Sequence, residues 1–144
     1  MKKRQELPYP MTREDIRKSI MKPYQYQFYR HPVIQRKYDE WMKIHKKMHN
    51  NNDKTLLIRK NDFPYYLESP YKHYVAWYNG KWKDSQLHLF KERFQQKYKK
   101  AFIFINLPQR RSINNLPHFH IISKTTIPCI VLNVKDSEKL LKEQ

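Results

Sequence analysis

The sequence predicts one α+β domain in which helices pack on one face of a small antiparallel or mixed sheet, with a helical N-terminal extension. Helical periodicity dominates the first third of the 144 residues, and strand-like alternation begins near residue 55. Helical and strand-like segments then follow each other at short spacing, with a tight-turn signal at Asn79-Gly80. A chain of this length fits a single domain of about 100–150 residues.

The N-terminal third reads as a basic arm followed by two helices. Residues 1–11 are basic and contain two prolines, which favours an extended arm, and residues 12–53 form the helical part. The segment from Thr12 to Asp15 is typical of a capping box, which begins a first helix that Pro23 ends. Pro32 suits the first position of a second helix. The apolar stripe of that helix consists of Ile34, Tyr38, Trp41, His45 and Met48.

Residues 54–144 form the α+β part of the predicted domain. A third helix over 84–98 is indicated by apolar residues at helical spacing, and a short terminal helix is expected over 136–143. The sequence Pro-Cys-Ile-Val at 128–131 predicts that Cys129 is a buried strand residue. The five predicted strands are Thr55–Arg59, Lys72–Tyr78, Ala101–Ile105, His118–Ser123 and Ile130–Val134.

Charge is the strongest compositional signal. Lys and Arg number 30 against 13 Asp and Glu, which gives a formal net charge of +17. Such an excess opposes compaction of a small domain, and a polyanion that neutralises it also gains affinity from counterion release. We therefore expect a nucleic-acid partner, with RNA favoured, and a place in a protein complex remains open. The phosphate contacts expected on the second helix are Lys37, Lys43, Lys46 and Lys47.

Several classes of protein are excluded by composition. No apolar run approaches the ~18–20 residues that span a bilayer, so no membrane partner is expected. The lone Cys129 excludes an intrachain disulfide and suits a reducing compartment, cytoplasmic or nuclear, or a virion or infected host cell. Gly80 is the only glycine, so glycine-rich nucleotide-binding loops are excluded. We predict no cofactor and no metal.

Aromatic residues alternate with cations in segments 24–30 and 71–83. This combination holds single-stranded nucleic acid, because bases stack on the rings while cations follow the backbone. The alternative is core packing, since a chain with 15% aromatic residues must build much of its core from them. The candidates for exposed stacking platforms are Tyr26, Tyr29, Tyr78 and Trp82.

His118 and His120 form the main chemical constellation. They lie two apart in a predicted strand, so both imidazoles point to one face, with Cα atoms about 7 Å apart. The pair could hold a phosphate or divide the roles of acid and nucleophile. A metal would need a further ligand, for which His73, Asp62 and Asp84 are equal candidates. Two half-buried structural histidines are the alternative.

Two adjacent arginines, Arg110 and Arg111, precede the histidine pair and follow Asn106. Planar guanidinium groups bind phosphate oxygens in pairs, which favours a phosphate site at this loop. The alternative is a solvated basic loop.

About half of the chain, roughly residues 55–123, resembles an uncharacterised domain family of fungi and large DNA viruses. The resemblance is carried by a strand, Asn106, an Arg-Ser-Ile loop at 111–113 and the His-x-His strand that ends at 123. It extends back through Ile-Arg-Lys-Asn-Asp-Phe-Pro-Tyr at 58–65 and His-Tyr-Val-Ala-Trp at 73–77. This resemblance leaves the helical first third outside the family and implies a viral or fungal context.

A more remote similarity is to the histidine-triad nucleotide hydrolases. In that family a His near a strand start, a helix, a strand ending in Asn and a His-x-His-x-His strand follow in order, as do His73, residues 84–98, Asn106 and the His118–His120 pair here. The similarity implies a histidine nucleophile that attacks an α-phosphate. The third histidine and the loop glycines are absent, so the nucleophile would be either His118 or His120.

The leading interpretation is a basic accessory domain that binds RNA or nucleotide phosphates without strong turnover. Its phosphate site would contain Arg110, Arg111, His73 and Asn106. One alternative is a divergent phosphoesterase that acts on a nucleotide or RNA-end phosphate through His118 or His120. The other is a structural module of a nucleoprotein or virion assembly, in which the charge neutralises packaged nucleic acid.

Overall fold

The computed structural model of the protein describes residues 8–45, 55–79, 83–106, 118–132 and 139. Its helices are α1 (Arg13–Met21), α2 (Pro32–Ile44) and α3 (Asp84–Lys97). Its strands are β1 (Thr55–Lys60), β2 (Lys72–Asn79), β3 (Phe102–Phe104), β4 (His118–Ser123) and β5 (Ile130–Leu132). None of the helices in these ranges is long and apolar enough to cross a membrane.

The five strands form one antiparallel sheet in the order β3-β4-β2-β1-β5. The two longest pairings, β1 with β2 and β2 with β4, lie at its centre, and both edge strands have three residues. The prediction of an α+β fold with a small antiparallel sheet is confirmed. Short edge strands offer few unpaired backbone groups to other chains.

One face of the sheet packs on α3 and forms the larger hydrophobic core. Strand residues two apart share a face, so Tyr74, Ala76 and Tyr78 of β2 all point to this side. Phe119 of β4 is fully buried and contacts the rings of Tyr78 and Phe94. The remaining helix contribution comes from Leu87 and Phe90.

The other face is also covered, which corrects the prediction of helices on one face only. Ile16 of α1 packs there with Phe104 and Ile122 from the sheet. The end of the predicted N-terminal arm is fixed to the same face, because Met11 is buried and forms a parallel bridge with Leu67. A helical periodicity identifies the apolar side of α1 but not the sheet face that receives it.

Local sequence signals explain where the first two helices begin. Thr12 caps α1, with its Oγ1 accepting from the Asp15 backbone N–H at 3.2 Å and its own N–H donating to the Asp15 carboxylate at 3.0 Å. Pro32 opens α2, and the His31 ring accepts from the Val33 N–H at 3.1 Å. The predicted capping box and the predicted start at Pro32 are both confirmed.

Other predicted features differ or lie outside the described residues. Cys129 precedes β5 and is exposed, so the prediction of a buried strand cysteine is wrong. The residue stands just before the short edge strand β5, which pairs on one side with β1. The end of the second predicted helix beyond His45, the turn at Gly80 and most of the terminal helix at 136–143 fall outside the described ranges.

Truncation of Phe119 tests the packing between the sheet and α3. The change Phe119→Ala should lower the free energy of unfolding by about 3–5 kcal/mol, because it leaves a cavity among closely packed rings. Urea denaturation followed by circular dichroism measures the loss. The exposed edge residue Val131 provides the matched control, since Val131→Ala should change stability by less than about 0.5 kcal/mol. Equal losses in both variants would contradict the assigned core.

Candidate functional site

A cavity of about 310 Å³ lies between the second face of the sheet and the helical part of the chain. The sheet contributes Trp77, His118 and His120 to its lining. The helical part contributes Arg30, from the segment between α1 and α2, and Trp41 from α2. Both halves of the chain therefore build this cavity.

Strand register brings His73 and His120 into contact. In the antiparallel β2–β4 pair, Val75 lies opposite His120, and His73 is its neighbour two residues along on the same face. The Nε2 atom of His73 lies 2.9 Å from Nδ1 of His120. His73 is 1% exposed and His120 5% exposed, so both rings are buried; His120 lines the cavity, and His73 contacts it.

The backbone fixes which ring nitrogens carry protons. The Tyr65 N–H lies 3.1 Å from His73 Nδ1 and can only donate, so this nitrogen accepts. The proton of neutral His73 is therefore on Nε2 and is donated to Nδ1 of His120. Neutral His120 must then carry its own proton on Nε2.

The chain of donors consequently ends in an N–H on His120 Nε2, which requires an acceptor. The side-chain amide of Asn106 lies 3.2 Å from this nitrogen and 3.0 Å from the Tyr65 hydroxyl. The amide atom at both distances is Nδ2, and a half rotation of the amide puts its oxygen there, where it accepts from the His120 Nε2–H and from the Tyr65 O–H. An oxygen of a bound anion would serve the same donor.

Both buried histidines are neutral at physiological pH. Burial, together with the charges of Arg30 and His118, lowers the pKa of His73 to about 3. Burial, His73, His118 and Arg30 hold the pKa of His120 well below its ordinary value. Because His120 is neutral and protonated on Nε2, it presents a hydrogen-bond donor rather than a lone pair. This geometry makes His120 a donor to ligands and a poor nucleophile.

Tyr65 holds the histidine pair in place. Its ring stacks on His73 with centroids 4.3 Å apart. Phe28 in turn stacks on both Tyr65 and Phe104, with centroids 4.7 Å apart in each pair. Burial raises the pKa of the Tyr65 hydroxyl, so the hydroxyl keeps its proton. Stacked rings on a β scaffold give the bottom of the cavity a fixed shape.

Arg30 is a described cation whose charge acts on this buried group. Its Nε donates to the Phe63 carbonyl at 2.7 Å, and its guanidinium carbon lies 4.1 Å from the Tyr38 ring centroid and 5.3 Å from that of Tyr65. In the described part of the chain, no carboxylate lies within 4.0 Å of it. Aromatic faces stabilise a guanidinium without neutralising it, so the positive charge remains available to an anion.

The mouth of the cavity is more exposed and also basic. Arg59 and Lys60 line it, and the carboxylate among the described lining residues is Asp62, which Arg59 binds at 2.9 and 3.2 Å. The side chains of Arg59 and Asp62 are 47% and 65% exposed, so water screens their ion pair. Since Asp62 is already paired, Lys60 and Arg30 leave the cavity with a net positive charge.

His118 lies nearer to the mouth than His120. It is half-buried, its ring centroid lies 4.6 Å from that of Trp77, and it meets the His120 ring edge-on at 5.2 Å. Both rings line the same cavity, as the spacing of the pair predicts. Of the two histidines, His118 is therefore the one that solvent and ligand reach more easily.

The structure unites part of the predicted site. His120 contacts both His73 and Asn106 through its ring nitrogens, and the His118 ring lies against the His120 ring. Four sequence-predicted residues, spread over the 48 positions from His73 to His120, thus converge. The predicted phosphate-binding residues Arg110 and Arg111 lie outside the described residues.

The predicted nucleic-acid contacts have mixed outcomes. Lys37 and Lys43 are exposed on α2, whereas Lys46, Lys47 and Trp82 lie outside the described residues. Tyr78 is wrong as a stacking platform, because it is fully buried against Phe90 and Phe119. Burial accordingly raises the pKa of its hydroxyl. Its position on the α3 face follows from the alternation of β2, which the aromatic–cation pattern obscured.

Tyr26 and Tyr29 also differ from each other. Tyr26 is 40% exposed and lines the cavity, which suits a stacking role. Tyr29 is half-buried, and its hydroxyl donates to the Tyr9 carbonyl at 2.6 Å, so it serves the packing of the N-terminal segment.

Sequence reasoning missed Arg30 and Tyr65 as members of the site. Arg30 stands in an aromatic segment without regular structure, and Tyr65 follows a turn proline. Each joins the site through partners distant in the chain, such as the Phe63 carbonyl. The one available signal was a lone arginine among Tyr24–Tyr29 aromatics, where cation–π pairing is favoured. Among the described residues, no group of three or more His, Cys, Asp and Glu could hold a metal ion.

Comparison with known proteins gives information on the fold alone. No family model matches the chain, and no curated protein matches it. The crystal structure of HTC1 is similar, with a TM-score of 0.55 and 16% sequence identity. The match covers 90% of this chain and 92% of HTC1. At this identity the two chains share an architecture, and the printed name says nothing of a ligand or reaction.

The buried histidines should make stability fall in mild acid. Unfolded histidine has a pKa near 6.5, whereas that of native His73 is about 3, so only the unfolded state takes up protons between these values. The free energy of unfolding should be unaffected above pH 6.5. Below it, each of the two histidines should lower this energy by about 1.4 kcal/mol per pH unit.

Urea denaturation at pH 7.5, 6.5, 5.5 and 4.5 measures this slope. The change His73→Gln should make it shallower by about one proton, because one of the two titrating groups is gone. His88→Gln is the matched control, since His88 is exposed on α3 and should leave the slope unchanged. Identical slopes in all three proteins would show that His73 is not held neutral.

Proposed function

We propose that this protein is a basic accessory domain that binds RNA or nucleotide phosphates in the cavity between the sheet and the helical part. The proposal is carried by one observation: Arg30, which has no carboxylate partner among the described residues, lies in the same cavity as the donor end of the histidine chain. A cation and a directed N–H donor suit phosphate oxygens.

The aromatic lining supports a nucleotide rather than a bare phosphate. Trp41, Trp77 and the half-exposed Tyr26 present ring surface to a space of about 310 Å³. Bases stack on such rings without sequence preference. The volume is at the lower end of the range for small-ligand sites, about 300–1,000 Å³. One nucleotide unit with its phosphate is therefore the natural size of occupant.

The wider surface supports a polyanion. Only three ion pairs join described residues, and they use Arg17, Arg59 and Lys91. Lys37 and Lys43 are exposed on α2, the helix that borders the cavity through Trp41. Cations without local carboxylates attract a phosphate backbone from a distance. A strand whose one nucleotide enters the cavity would follow α2 with its neighbouring phosphates.

Salt titration of RNA binding tests the proposal. We expect the protein to bind single-stranded RNA with a log–log salt slope of about −3 to −6, which corresponds to about 4–8 neutralised phosphates at ~0.7 ions each. Fluorescence anisotropy with a labelled oligonucleotide between 50 and 300 mM KCl measures it. Absence of binding at the lowest salt, or binding that ignores salt, would refute the proposal.

A charge-matched pair of variants locates the site. Arg30→Gln with Lys60→Gln removes two cations from the cavity and should weaken binding by at least about tenfold, because charge-assisted hydrogen bonds are lost. Lys99→Gln with Lys100→Gln removes two exposed cations from the turn after α3, which packs on the other sheet face. Equal weakening by both pairs would place the RNA elsewhere.

A second candidate function is a divergent phosphoesterase, for which the position of His118 is the specific observation. His118 is more accessible than His120, lines the same cavity as Arg30, and contacts a histidine that can donate to a developing negative charge. In this scheme His118 attacks phosphorus and displaces the alcohol or phosphate leaving group, and water then hydrolyses the phosphohistidine; alternatively, His118 takes a proton from the water that attacks phosphorus and displaces the same group. His120 and Arg30 stabilise the phosphate oxygens in either case. The remote similarity to histidine-triad hydrolases agrees with such chemistry.

Turnover assays decide between binding and hydrolysis. The protein should be incubated with dinucleoside polyphosphates, nucleoside phosphoramidates and capped RNA, with products separated by chromatography. If the phosphoesterase candidate is right, His118→Ala should abolish turnover, while His88→Ala should retain it. Lack of turnover, or turnover that survives His118→Ala, eliminates this candidate and leaves the binding function.

A further inference from the structure

The cavity changes character from its mouth to its bottom. At the mouth, Tyr26 is 40% exposed and the Asp62 side chain is 65% exposed. At the bottom, Phe104, Tyr65 and His120 are 6%, 9% and 5% exposed. The sheet closes this end, because β4 and β2 pair continuously beneath the histidines. The cavity therefore has an exposed entrance and a blind, buried end.

The blind end carries the strongest donors. Arg30 keeps four N–H groups on its terminal nitrogens after its Nε binds the Phe63 carbonyl. His120 adds the Nε2–H in which the chain from the Tyr65 backbone ends, and an anion oxygen would take the place of the Asn106 amide, which lies 3.2 Å from this nitrogen. Arg30 and His120 line the same cavity on either side of Tyr65, whose ring centroid lies 5.3 Å from the Arg30 guanidinium carbon and 5.7 Å from the His120 ring centroid. A single anion can thus meet both residues.

We infer that the bottom of the cavity is a subsite for a terminal phosphate monoester, bound by Arg30 and His120, and that internal phosphodiesters reach only the mouth. The inference rests on the proposed function and specifies which phosphate the site takes. A phosphate monoester has one carbon substituent, which extends from the buried end out through the entrance. A diester has two, and both would have to pass the same entrance.

Charge favours the same ligand. A phosphate monoester carries about −1.5 to −2 charges near pH 7 and three strong acceptor oxygens. An internal phosphodiester carries about one negative charge. With Arg30 held by a backbone carbonyl and two aromatic rings instead of a carboxylate, the site gains more from the higher charge. The neutral histidine pair adds no repulsion and donates one hydrogen bond.

Three versions of one eight-nucleotide RNA test the inference against the intact protein. The first has a 5′-hydroxyl, the second a 5′-phosphate and the third a 5′-phosphate blocked as its methyl ester. A parallel set carries the same groups at the 3′ end. We expect a free phosphate at one end to tighten binding by about tenfold, as one charge-assisted contact allows, and the methyl ester to abolish this gain.

The variant Arg30→Gln should erase the difference between phosphate and hydroxyl ends, while Lys99→Gln preserves it. Because the comparison among RNAs uses the unaltered protein, it remains decisive even if Arg30→Gln does not fold. Adenosine 5′-monophosphate is added as a competitor to show whether a free nucleotide also occupies the subsite. Displacement of the labelled RNA by this nucleotide, or by an unlabelled RNA with a phosphate end, supports a monoester site.

Equal affinity for all end groups would overturn the inference and leave the proposed RNA binding intact. Failure of every RNA to bind at 50 mM KCl would instead refute the proposed function, and the inference with it. A free phosphate that weakens binding would also overturn the inference, since it would show that the bottom of the cavity repels added charge.

Discussion

The register of β2 against β4 is the constraint on which the rest of the site depends. It places Trp77 opposite His118, Val75 opposite His120 and His73 opposite Ile122, all on the cavity face. A slip of one residue would send these side chains into the α3 core and the core residues into the cavity. Buried apolar residues on both faces oppose such a slip, so core packing and site geometry are set by the same hydrogen-bonded ladder.

The histidine pair follows from this register and gives the cavity a defined polarity. The backbone N–H of Tyr65 sets one proton, which sets the next, so the chain ends in a donor aimed away from the strand. Arg30 reinforces that polarity with a charge that no described carboxylate cancels. An isolated cation in a partly buried place is costly unless an anion completes it. This balance is why we favour phosphate recognition over a purely structural role.

Much of the fold could be predicted from sequence because its signals are local. The capping box at Thr12, the proline that opens α2 and the alternation of β4 all act within a few residues. The convergence of Asn106 and the histidines could be anticipated from strand spacing together with the family resemblance. Arg30 and Tyr65 could not, because their partners lie far along the chain and depend on how α1 and α2 cover the sheet. The mixture of aromatic residues and cations in segment 71–83 predicts an exposed Tyr78, whereas the alternation of β2 puts this side chain in the core.

The placement of Arg30 ahead of α2 has a consequence for dissecting the protein. The stretch that resembles a known domain family starts at about residue 55, yet Phe28, Arg30 and Tyr38 come from before it and close the cavity. A fragment trimmed to that stretch would keep every site histidine and lose the Arg30 cation from the cavity. It would also bare Phe104 and Ile122 to water and invite self-association. The cavity is built by both halves of the chain, and neither half contains all of the residues that line it.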